Sequence, residues 1–156
     1  MKKAMLVGAA CSAFAMISGT AFGYNQWFPA GAALVYGLDE GHVIVTESGS
    51  VRLSTANQNG LIWPARLAVP NIQNPSGTVT VGWYVNIGSG TQVRGRVKTY
   101  EADGTLFATT TYTSRTTSGS SSRTANKSNG NVMLELEFTD GNSSTPTPSV
   151  SGFYAE

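Results

Sequence analysis

Residues 93–113 read VRGRVKTYEADGTLFATTTYT, and this stretch decides the fold because period, turn chemistry and charge agree in it. Asp103-Gly104 suits a two-residue hairpin turn, whose central residues need positive φ. Folding the chain there sets Val97 opposite Thr110 and Gly95 opposite Tyr112. One face then carries Val93, Gly95, Val97, Thr99, Leu106, Ala108, Thr110 and Tyr112, and the other Arg94, Arg96, Lys98, Thr109, Thr111 and Thr113. The first is predicted to face the core and the second water, since side chains alternate across a strand. A four-residue loop, Glu101 to Gly104, keeps the same parity.

Outward from this hairpin the same period recurs. Thr78 to Ile87 places Val79, Val81, Trp83, Val85 and Ile87 on one face; Leu61 to Val69 places Leu61, Trp63, Ala65, Leu67 and Val69 together. Pro64 cannot donate to a ladder, so that strand is expected at an edge or broken by a bulge. Val132 to Thr139 turns Val132, Leu134, Leu136 and Phe138 inward and Met133, Glu135, Glu137 and Thr139 outward. His42 to Thr46, Val51 to Thr55 and Val150 to Ala155 read as shorter strands, and Tyr24 to Gly41 as an edge strand or an ordered N-terminal arm. Ser114 to Asn131 has no apolar period and reads as a mobile loop at about 114–131. Seven to nine short strands with frequent turns predict an all-β, antiparallel β-sandwich of Ig-like or jelly-roll type.

Residues 1–23 read as a secretory signal peptide: Lys2 and Lys3, an apolar run to Ile17, then Ala21-Phe22-Gly23 before cleavage at Tyr24. An acylated Cys11 is the alternative, with a very short apolar segment before it. Residues 24–156 then form one exported domain without cysteine, secreted, periplasmic or at the cell surface. Beyond the leader no apolar run is long enough for a spanning helix. Removing Lys2 and Lys3 leaves eight Lys and Arg against nine Asp and Glu, a net charge of −1. That balance argues against a nucleic-acid partner.

Catalysis finds little support. His42 is the only histidine, and Ser48, Ser50 and Asp39 near it form no nucleophile elbow. Glu135 and Glu137 lie about 6.5–7 Å apart along one strand face, a separation suited to an inverting glycosidase, but parallel side chains on a sheet do not converge on one bond. Asp103-Gly104 and Asp140-Gly141-Asn142 match turns rather than a cation loop, and one imidazole without a thiol suits no zinc site. Neither metal nor cofactor is predicted.

Binding is the better prospect. If the Val132 strand neighbours the Val93 strand, Arg94, Arg96 and Lys98 pair with Glu135 and Glu137, at a few tenths of a kcal/mol each. Otherwise the cationic row, with Arg115, Arg123 and Lys127, offers a basic face to an anionic glycan. Trp63 and Trp83 have core parity, whereas Trp27, Tyr84, Tyr100 and Phe107 do not, and Tyr100 faces Phe107 across the hairpin. The candidate ligand-binding residues are therefore Trp27, Tyr84, Arg94, Arg96, Lys98 and Tyr100. The first reading is a non-catalytic surface, matrix or adhesion module. A lectin-like carbohydrate-binding module is the alternative, then an exported hydrolase, or a fibre subunit that self-associates by adding its N-terminal arm or Val150–Tyr154 to a neighbour's sheet. The candidate partners are a surface glycan, a protein or a second copy.

Overall fold

A computed structural model describes residues 26–36, 43–53, 62–70, 77–139 and 148–156. The leader at 1–23, Tyr24, His42, Leu61 and the Asp140-Gly141-Asn142 turn lie outside the described residues. The described residues form twelve strands: β1 (Gln26–Pro29), β2 (Leu34–Tyr36), β3 (Val43–Val45), β4 (Val51–Leu53), β5 (Ile62–Val69), β6 (Gly77–Asn86), β7 (Gln92–Tyr100), β8 (Leu106–Thr109), β9 (Thr113–Arg115), β10 (Gly119–Lys127), β11 (Val132–Thr139) and β12 (Ser149–Ala155). One 3-10 turn, Ala30–Ala33, joins β1 to β2. Among the described residues no helix is long and apolar enough to cross a membrane.

The strands form two antiparallel six-stranded sheets. Sheet I runs β10-β6-β12-β4-β3, with β1 also on β12; sheet II runs β2-β5-β11-β7-β8, with β9 also on β7. Their inner faces meet in a core of Val79, Val81, Trp83, Val85 and Phe153 from sheet I against Ala65, Leu67, Val93, Val97, Leu134, Leu136 and Phe138 from sheet II. These are the residues of inward parity, each stabilising by about 1.5–3 kcal/mol on burial for the larger side chains. Trp83 is fully buried, and Trp63 packs partly buried against the core. The expected antiparallel sandwich is therefore the observed one.

Three expectations need correction. Residues 119–127 are a strand, not a mobile loop, paired with β6 from Gly119 opposite Val85 to Lys127 opposite Gly77. At this edge of sheet I the backbone ladder carries the strand, and its inward positions hold Ser121 and Arg123 where an apolar period would show. Arg123 donates to the Tyr112 carbonyl in the link between β8 and β9, an inward charge that blunts the edge.

The opening hairpin also turns differently. Glu101 N donates to Thr105 O (2.8 Å) and Gly104 N to Glu101 O (3.0 Å), enclosing a three-residue loop in which Gly104 has φ +86°. This is the turn that places glycine in the left-handed region at its last position, rather than a two-residue or four-residue loop. Tyr100 consequently lies opposite Leu106, not Phe107, before Thr99 opposite Ala108 restores the expected register. Leu106 is 54 % exposed, because β8 is a sheet edge with little sandwich behind it.

A second slip follows Thr110. Gly95 lies opposite Thr113, where simple folding gives Tyr112. One residue of slip moves a side chain to the other face, so Tyr112 leaves the core side and joins the charged side. β5 is not an edge strand, since β2 and β11 flank it, but β2 pairs with it only at Arg66 and Leu67, so Pro64 lies beyond that pairing.

Candidate functional site

The outer face of sheet I carries an aromatic platform. Outward parity on β1, β12 and β6 brings up Trp27, Tyr154 and Tyr84, with Trp27 opposite Tyr154, Tyr154 opposite Gly82, and Gly152 opposite Tyr84. Trp27 is 51 % and Tyr84 38 % exposed. The rings of Trp27 and Tyr154 have centroids 5.9 Å apart and planes inclined by 26°.

Two glycines explain why these rings lie down on the sheet. A Cβ on Gly82 would collide with the Tyr154 ring, and one on Gly152 would come within 2.5 Å of Trp27 Nε1. Each ring thus occupies the space that a neighbour's side chain would fill, Trp27 exposed and Tyr154 half-buried. β10 borders the platform with Ser120 opposite Tyr84, Ser122 opposite Gly82 and Thr124 opposite Thr80. The Thr124 and Thr80 hydroxyls are hydrogen-bonded to each other at 2.9 Å.

The other candidate residues lie on the opposite side of the molecule. Arg94, Arg96, Lys98 and Tyr100 project from the outer face of sheet II, where β11 is the neighbour of β7 with Glu135 opposite Arg96 and Glu137 opposite Arg94. The conditional pairing expected from sequence is therefore realised. Arg94 pairs with Glu137, and Glu135 accepts from Arg96 Nε (3.1 Å) and Lys98 Nζ (2.5 Å). Tyr112 lies across the row, its ring 4.7 Å from the Arg94 guanidinium and 4.4 Å from that of Arg96. Its hydroxyl donates to Glu137 Oε1 at 2.5 Å.

This cluster is built to hold its charges still. Burial pushes the Glu135 carboxyl upward, but hydrogen bonds from Arg96 and Lys98 outweigh it and hold the group below the ordinary glutamate range. Burial, and then the bond to Glu137, pushes the Tyr112 phenol up to about 12. A glycosidase acid needs a carboxyl raised toward neutrality, and an activated tyrosine needs a lowered phenol. Glu135 and Tyr112 are shifted the opposite way, and all three cations of the row are engaged.

The platform joins Trp27 and Tyr84 from the sequence-predicted set and separates them from Arg94, Arg96, Lys98 and Tyr100. It adds Tyr154, which sequence reasoning placed in a final strand without assigning it a part in ligand binding. The signal was the alternation of Gly152 and Tyr154 on one face of that strand.

No family model matches this sequence, and no curated protein matches it. Solved structures similar to it include TmCBM61 in complex with beta-1,4-galactotriose, at 12 % identity over 84 % of this chain and 86 % of that one, with a TM-score of 0.46. Another is the C-terminal CBM6 of LamC from Zobellia galactanivorans, at 17 % identity over 85 % and 98 %, TM-score 0.45. A third is the carbohydrate binding module CBM6cm-2 from Cellvibrio mixtus lichenase 5A in complex with cellotriose, at 14 % identity over 84 % and 95 %, TM-score 0.42. The likeness is one of layout, and no residue role is carried across it.

Proposed function

We propose that this chain is an exported, non-catalytic carbohydrate-binding module whose ligand lies on the aromatic platform of sheet I. The observation that carries this reading is the pair of rings, Trp27 and Tyr154, seated on Gly152 and Gly82 beside a border of hydroxyls. A sugar ring has apolar C–H faces and a polar rim. Aromatic faces are electron-rich and accept the C–H face, while Ser120, Ser122 and Thr124 meet the rim. The surface or adhesion role follows as the use to which such binding is put.

A panel of immobilised polysaccharides probed with the purified protein tests the proposal. At least one is expected to retain the protein, and Trp27→Ala should weaken that retention about 30-fold, the scale of an aromatic hot spot near 2 kcal/mol. Because Trp27 is 51 % exposed, the variant should keep its far-ultraviolet circular dichroism. Retention indifferent to Trp27 would remove the platform from the account.

A further inference from the structure

Resting on the glycan-binding reading, we infer that the ligand is an uncharged glycan contacting the platform through at least two consecutive sugar rings, and that acidic glycans are rejected. The charge requirement comes from what surrounds the rings. The residues bordering Trp27, Tyr154 and Tyr84 on β6 and β10 are Thr80, Asn86, Ser120, Ser122 and Thr124, none of them ionisable. Arg52 is on the same face but on β4, beyond Ser149. Arg123 and Lys127 have inward parity on β10, and Arg115 is bonded to the carbonyls of Thr117, Ser118 and Ser120.

At the end of the platform nearest Thr80 the charge is negative. Glu156 continues β12 beyond Tyr154, with its backbone N bonded to Thr80 O at 3.0 Å and its own carbonyl accepting from Thr80 N at 2.8 Å. Its parity is that of Tyr154, so its exposed side chain is on the platform face, about 7 Å along the strand. A carboxylated sugar on the rings would set its anion over electron-rich ring faces and beside this carboxylate, whereas Arg52 stands at the other end of β12, opposite Ser149. The molecule's row of cations is on the opposite sheet, already paired with Glu135 and Glu137.

The size requirement comes from the rings. Trp27 and Tyr154 have separate centroids 5.9 Å apart, and Tyr84 stands on the next strand over. One pyranose covers one aromatic ring, so a single sugar leaves part of the platform wet.

The test uses the purified protein in titration calorimetry against cello-, laminari-, manno- and galacto-oligosaccharides of one to four rings, each beside its C6-oxidised, carboxylated counterpart. The expected result is binding of a neutral member that strengthens at least tenfold from one ring to two, is unchanged between 0.05 and 0.5 M NaCl, and falls at least tenfold on oxidation. Equal or tighter binding of an oxidised member, lost in Trp27→Ala, would overturn this inference and leave the glycan-binding reading intact. Equal binding of the monosaccharide would overturn the two-ring footprint. Failure of every member, neutral and acidic, would overturn the glycan-binding reading itself and this inference with it.

Discussion

Trp83→Ala should lower the unfolding free energy by about 3–5 kcal/mol, the usual cost of truncating a fully buried large aromatic side chain. Trp83 has no exposed surface and sits on β6 facing the other sheet. A Cβ on Gly95 of β7 would come within 2.6 Å of Trp83 Cζ2 and 3.2 Å of Leu136 Cδ2, so the indole fills the space that this glycine leaves open. The truncation opens a cavity that spans both sheets, and rigid ladders on either side limit its collapse. Since domains of this kind are stable by only about 5–15 kcal/mol, the variant should lose a large share of its stability. Urea unfolding followed by circular dichroism would show it as a lower midpoint at unchanged slope. A loss under about 1 kcal/mol would mean that the indole is not the packing element between the sheets.

Gly82→Val should abolish binding while leaving the fold intact. A side chain at Gly82 would occupy the place of the Tyr154 ring, which is a side-chain neighbour and can swing away. The strand itself gains, because β-branched residues suit an extended central strand and loss of glycine restricts the unfolded chain. Stability within about 1 kcal/mol of the parent is therefore expected, with affinity reduced at least 30-fold, on the scale of a lost aromatic anchor. Melting temperature and polysaccharide retention, measured on one preparation, separate the two effects. Full retention by Gly82→Val would show that the seated position of Tyr154 has no part in binding.

Both variants trace back to how far period alone can be read. The alternation in 78–87 and 132–139 gave the right faces for Val79, Val81, Trp83, Val85, Leu134, Leu136 and Phe138, because strands buried on one side fix their register by hydrophobic contrast. The Arg–Glu ladder was legible for the same reason: opposite charges on the wet faces of two strands predict their adjacency. Where contrast is missing, period fails. In β10 Ser121 and Arg123 take inward positions, and the strand is defined by its ladder to β6 rather than by its composition.

Register slips are equally silent in the sequence. A bulge beside Tyr100 and another between Thr110 and Thr113 displaced Leu106 and Tyr112 from their expected surroundings. The platform was half legible. Trp27 and Tyr84 are exposed by parity, but their gathering around Tyr154 depends on β1 and β6 lying near or beside β12, a long-range pairing that local pattern does not encode. The same topology pairs β1 with β12, the two segments read as candidates for strand addition to a neighbour.

The measurement that tests the platform most directly is an amide and indole chemical-shift titration of the labelled protein with the oligosaccharide that it binds. The account predicts the largest shifts at the Trp27 indole N–H and at the amides of Gly82, Tyr84, Gly152 and Tyr154, with Arg94, Arg96 and Tyr112 unmoved. Shifts concentrated on the Arg94–Lys98 row, with the Trp27 indole unchanged, would contradict it and move the ligand to the other sheet.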